Sequence, residues 1–124
     1  MITQDDIEFF DDIEVFQEVL VTPTEYSYWV EHKIITEGDT RLVENVLGLV
    51  GEAGEVAEKT KKLLRDSTKL DRNDIIKEIG DVVFYATALA NFFDSSLAEV
   101  LEMNMNKLND RASRGVLQGS GDNR

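Results

Sequence analysis

Four carboxylates on what reads as the apolar face of two helices define the chemistry available to this sequence. Within residues 47–62, LGLVGEAGEVAEKTKK, Glu52 and Glu55 stand three apart, and within 77–85, KEIGDVVFY, Glu78 and Asp81 repeat that spacing. At about 100° per residue, Glu52 falls close in angle to Asn45, Leu49, Val56 and Leu63, and Glu78 to Ile75, Val82, Tyr85 and Leu89. Acids three apart carry no message alone in a chain with 25 Asp and Glu among 124 residues. On a buried stripe they do, because a desolvated carboxylate is costly unless a cation or good hydrogen bonds offset it. Two such pairs facing each other repel, and divalent hard cations relieve the repulsion. An all-carboxylate donor set suits Mg²⁺ or Mn²⁺ better than zinc.

The elements that must position these acids read as helices throughout. With 124 residues the chain is expected to form a single domain over 1–124. Its single proline and few glycines fit an all-α, antiparallel four-helix-bundle-like protomer with an extra N-terminal helix, assembling through helix packing. Cysteine is absent, which removes thiolate chemistry and fits a reducing cytoplasm. The acidic start, MITQDDIEFFDDIE, has neither a basic leader nor a long apolar run, so no signal peptide or membrane span is expected. A formal net charge of −12 disfavours polymeric nucleic acid and anionic membranes as partners.

Along the chain, Ile7, Phe10, Ile13, Phe16, Val19 and Leu20 predict an acidic amphipathic helix over residues 2–20, within an N-terminal segment 1–21. Thr22-Pro23-Thr24-Glu25 is a helix start with a capping box, opening a helix from Thr24 to about Thr36. This helix carries Trp29 and the only histidine, His32; a core or surface role is the plainer reading of each, and a nucleobase contact the sharper. Gly38 ends it, and Asp39 or Thr40 caps the next helix, about 41–65. Gly48, Gly51 and Gly54 lie inside that helix at nearly 1 kcal/mol each against Ala. Either close helix packing or room for metal and phosphate would account for them. Asp71 or Asn73 starts a helix to about Phe93, and the short 66–73 connection makes these two helices antiparallel neighbours. Ser96-Leu97-Ala98-Glu99 opens a last helix to about Ala112, on which Asn104, Lys107 and Arg111 share a side with Leu97, Val100 and Leu108. Snorkelling accounts for those cations structurally; aimed at the acids, they would also suit a triphosphate. Gly115–Arg124, GVLQGSGDNR, reads as a flexible Gly-rich tail (115–124).

These stretches resemble the MazG-like, all-α nucleoside triphosphate pyrophosphohydrolases. GLVGEAGEVAEKTKK is similar to that family's first acidic helix, KEIGDVVFYATALA to its second, and NMNKLNDRASRG to its last, the likeness covering about residues 24–115. The short form resembles single-domain members of phages and bacteria, which implies the cytoplasm of a bacterial or phage-infected cell. The resemblance implies hydrolysis of a (d)NTP to a (d)NMP and diphosphate, with metal ligands at Glu52, Glu55, Glu78 and Asp81. It implies two or more Mg²⁺ per site, Mn²⁺ substituting, and a homo-oligomer, either a dimer or a tetramer built as a dimer of dimers. Where the family often has an acid directly before the first ligand, this chain has Gly51. Lys59, Lys107 and Arg111 become phosphate contacts, and Trp29, His32, Asn45, Tyr85 and Asn104 candidate nucleoside contacts. Phage members resembling dGTP-preferring enzymes point to dGTP or GTP. The alternatives are a pyrimidine or modified nucleotide, and a non-catalytic helical interaction module. A di-iron bundle is disfavoured, since it needs Glu-x-x-His where this chain has Glu-x-x-Glu and Glu-x-x-Asp.

Overall fold

Thr22 opens the first helix through its side chain, whose hydroxyl accepts a hydrogen bond from the Glu25 amide at 3.1 Å. Pro23 follows in the first turn, where its missing N–H is no loss. The computed structural model describes residue 3, residues 7–8 and residues 21–66 and 69–123. Four helices fill these: α1 (Pro23–Glu31), α2 (Gly38–Asp66), α3 (Arg72–Phe92) and α4 (Leu97–Ser113). Among the described residues the extended structure is a two-residue parallel pairing of β1 (Ile7–Glu8) with β2 (Leu70–Asp71), in the register Ile7 to Leu70 and Glu8 to Asp71. The N-terminal helix expected over 2–20 is therefore not formed at Ile7 and Glu8, which bond to the lead-in of α3. The rest of that expectation lies outside the described residues, Thr3 apart.

α1 ends five residues short of its expected terminus. Its last amides make tight three-residue turns, Lys33 to the Val30 carbonyl at 2.9 Å and Ile34 to that of Glu31 at 3.3 Å. The Glu31 carboxylate is gripped by Arg41 through both oxygens, at 2.7 and 2.8 Å, and Arg41 also donates to the Ala88 carbonyl at 3.3 Å. That fork ties the end of α1 to α2 and α3 together and turns the chain away from the helical path. Gly38, at φ +58°, takes the left-handed conformation that opens α2.

α2 and α3 form the principal packed pair. Their mutual contacts run in opposite directions along the two helices: Arg41 with Ala88, Gly48 with Tyr85, Lys59 with Glu78. The helices are antiparallel, as the short connection requires. Asp71 caps α3 by accepting from the Asn73 amide at 2.8 Å, and Ser96 caps α4 by accepting from that of Glu99 at 3.1 Å. Between them α3 closes on a left-handed Asp94 (φ +59°), with Ser95 N–H reaching back to Ala90 and Asp94 N–H to Asn91. α1 is fastened to this corner by Ser27, whose carbonyl accepts from Asn91 Nδ2 at 3.0 Å and whose hydroxyl accepts from the Leu97 amide at 2.9 Å.

Among the described residues the buried apolar ones are few: Val30, Leu63, Ala88 and Ala90. Val43, Val46, Leu47 and Val50 form an exposed stripe on α2, and Val100, Leu101, Met103, Met105 and Leu108 are exposed on α4. α4 packs on α1 and α3, and every residue from Glu99 to Asp110 is solvent exposed.

Candidate active site

Antiparallel pairing of α2 with α3 brings together carboxylates far apart in sequence. Glu52, Glu78 and Asp81 each offer an oxygen, and these three atoms lie within 4.8 Å of one another. Glu52 and Glu78 are half-buried, and Asp81 is exposed. Glu55, one turn beyond Glu52, stays outside this convergence and faces solvent. Its charge still reaches the site. Partial desolvation, then the negative charges of Asp81, Glu78 and Glu55, push the Glu52 carboxyl above the ordinary carboxylate range. Among the described residues the cation facing the cluster is Lys59, whose Nζ is 3.7 Å from Glu78 Oε1. Three converging oxygens against one ammonium leave an excess of negative charge, and an all-oxygen donor set of this kind fits a hard divalent cation.

One turn past Asp81, the Tyr85 ring lies across Gly48. A side chain at 48 would collide with that ring, so this glycine serves close helix packing. Gly51 and Gly54 have nothing within 4 Å of where a Cβ would stand. Close packing within the protomer therefore accounts for one of the three. Phe84 meets Tyr85 edge-on at 5.3 Å and Trp29 edge-on at 6.1 Å, and Trp29 stacks on Tyr26 at 5.7 Å. Sequence reasoning passed over Tyr26, yet it answers to the acid cluster: burial, then the charge of Asp81, pushes its phenol above its usual value. The available signal was its place one turn before Trp29 on the same face of α1.

The other expected contacts are distributed unevenly. Asn45 and Tyr85 line one cavity of about 390 Å³, with Lys33, Glu44, Leu47 and Phe84. Asn45 is 2% exposed, and among the described residues its Nδ2 has no hydrogen-bond partner. His32 lies elsewhere, lining a cavity of about 460 Å³ with Ser27, Tyr28 and Asn91, its Nδ1 2.7 Å from the Tyr28 carbonyl oxygen. Trp29 is half exposed, with Lys33 Nζ 5.4 Å over its ring. Asn104 is exposed on α4. Lys107 and Arg111 meet the C-terminal tail: Asp122 Oδ1 accepts from Lys107 at 3.3 Å and from Arg111 at 3.0 Å.

An all-helical protomer whose longest helices hold three carboxylates against each other defines a helical protein with an acidic, cation-type centre. Residues 42–116 match the MazG nucleotide pyrophosphohydrolase domain. The chain is also 50% identical over 95 residues to the Gene 37 protein of Mycobacterium phage L5, covering 70% of this chain and 83% of that protein. No solved structure matches. The chain belongs to the MazG nucleotide pyrophosphohydrolase family. Membership implies a nucleotide substrate and divalent-metal dependence. No helix among the described residues is long and apolar enough to cross a membrane.

Proposed function

We propose that this protein hydrolyses a (d)NTP to a (d)NMP and diphosphate at the α2–α3 acid cluster. The observation that carries the reading is the convergence of Glu52, Glu78 and Asp81 opposite a single lysine. These three would hold Mg²⁺, or Mn²⁺ in its place, with Glu55 free to join. Bound there, divalent metal supplies charge neutralisation for the triphosphate and for the departing diphosphate. Glu52 or the solvent-facing Glu55 would orient and deprotonate the attacking water. Lys59, beside Glu78, would be placed to contact the phosphates, and Lys107 and Arg111 would meet the β and γ phosphates.

The base lies in the Asn45–Tyr85 cavity. Asn45 is two turns upstream of Glu52 and Tyr85 one turn downstream of Asp81. In an antiparallel pair both displacements run the same way from the acids, about 6–10 Å at 1.5 Å per residue. Among the described residues Asn45 Nδ2 is a buried donor without an acceptor, and a base carbonyl such as guanine O6 would supply one. That disfavours adenine, which carries no carbonyl, and is compatible with dGTP or GTP. The bare α2 stripe supports a second copy of the chain against it, in a dimer or a dimer of dimers.

The test is incubation with Mg²⁺ and each common NTP and dNTP, with products resolved by ion-exchange chromatography. Monophosphate and diphosphate without a nucleoside diphosphate intermediate are expected, guanine nucleotides turning over fastest. Orthophosphate as the first product would place the cut at another bond, and no product from folded protein would favour an interaction module.

A further inference from the structure

α4 ends in a turn that sends the chain back along its own last turns. Gly115, at φ +72°, is the left-handed residue, with Val116 N–H bonded to the Arg111 carbonyl at 2.9 Å and Gly115 N–H to that of Ala112 at 3.2 Å. Gly119 and Gly121, at φ +132° and +83°, continue the bend in conformations that side chains rarely adopt. The tail is thereby carried onto the basic side of α4. Arg111 donates to the Gly121 carbonyl at 3.2 Å and to Asp122 Oδ1 at 3.0 Å, and Lys107 donates to that same oxygen at 3.3 Å. The Arg111 side chain is 5% exposed, whereas Asp122 is 80% exposed. A nearly buried guanidinium and an ammonium thus share one anionic oxygen, an arrangement that a phosphate oxygen would also satisfy.

We propose that the C-terminal tail is a built-in competitor: Asp122 occupies the Lys107–Arg111 pair in place of a phosphate, and a polyphosphate must displace it to bind. The proposal rests on the reading above in which these two cations meet the β and γ phosphates. Its parts separate readily, because the tail offers one exposed carboxylate and the Gly121 carbonyl while the cations belong to α4. Arg111 and Lys107 hold the Asp122 carboxyl below the usual range, so the latch is charged at neutral pH. Apparent affinity for the polyphosphate then falls by the fraction of molecules with the tail closed.

Two readouts test it. In the amide NMR spectrum of the full chain with Mg²⁺, inorganic tripolyphosphate should shift Gly121 and Asp122 and bring them to the narrow lines of a released segment. Asp122→Asn should show those lines without ligand and bind tripolyphosphate about tenfold more tightly. In turnover, Asp122→Asn should lower KM for the nucleotide by a similar factor with kcat unchanged, and Asp122→Glu should behave like the native chain. Equal affinity in native and Asp122→Asn protein would overturn the proposal. A weaker Asp122→Asn would also overturn it, since the tail would then be a lid that helps hold the ligand. Tripolyphosphate that leaves the tail signals unmoved overturns it even where nucleotide is hydrolysed normally. Tail displacement without hydrolysis would instead leave the latch standing and refute the catalytic reading.

Discussion

Substituting the three glycines of α2 one at a time separates tight packing from mere placement. A Cβ at Gly48 would stand 2.5 Å from Tyr85 Cζ, 2.6 Å from Cδ1 and closer still to Cε1, whereas Gly51 and Gly54 have nothing within 4 Å. Each Gly→Ala change gains about 1 kcal/mol in helix propensity. At Gly48 the gain is opposed by an overpacking cost of about 1–3 kcal/mol, because a ring held between two helices cannot swing away freely. Gly48→Ala is therefore expected to be less stable than Gly51→Ala by about 1–3 kcal/mol, the propensity gain cancelling in the comparison. For a domain of this size that is a Tm gap of roughly 4–12 °C. Urea denaturation gives the free-energy difference directly, and adding Tyr85→Leu to both variants should close the gap as a double-mutant cycle. Equal stabilisation by Gly48→Ala and Gly51→Ala would refute the reasoning, because Tyr85 could not then lie across α2. A Gly51→Ala that destabilises only at low protein concentration would move the packing role of Gly51 to a contact between copies.

Other perturbations test the joints and the acid cluster. Glu78→Gln should keep the helical circular dichroism and lose both calorimetric Mg²⁺ binding and turnover; intact binding would remove Glu78 from the site. Arg41→Met should cost about 1–2 kcal/mol in urea denaturation, the low end reflecting a half-exposed Glu31 partner. Arg41 holds the Glu31 carboxyl below its usual value, so this stabilisation is present above the ordinary carboxylate pKa and is lost as pH falls through the depressed one. The acid limb of the stability curve should accordingly be shallower in Arg41→Met. Ser96→Ala removes the cap that accepts from Glu99 and should cost about 1 kcal/mol.

What the sequence disclosed was local. Thr22, Asp71 and Ser96 act as caps because a short polar side chain before a periodic run satisfies amides that the helix cannot. The facing of Glu52 with Glu78 and Asp81 followed from two periodic stretches and a connection too short for any but an antiparallel return. The α1 terminus was not legible, since Glu31 is bound by Arg41 ten residues on, and helical periodicity carries no trace of a cross-element ion pair. The same holds for β1, where an amphipathic pattern was outweighed at Ile7 and Glu8 by pairing with residues 70–71.

The acids themselves show how far periodicity reaches. It assigns a side chain to a face of its own helix, and it cannot say whether that face is covered. Asp81 and Glu55 lie on the stripes that the pattern marked as apolar, yet both are exposed. Glu52 and Glu78, nearer the α2–α3 contact, are the ones that lose water. The side of α2 that carries Glu52 is the one that meets α3, and the bare stripe of Val43, Val46, Leu47 and Val50 lies across the helix from it at about 100° per residue, so a second copy on that stripe would leave the acids uncovered. Assembly through that stripe should therefore leave Mg²⁺ affinity at the acids unchanged, which calorimetry at high and low protein concentration checks.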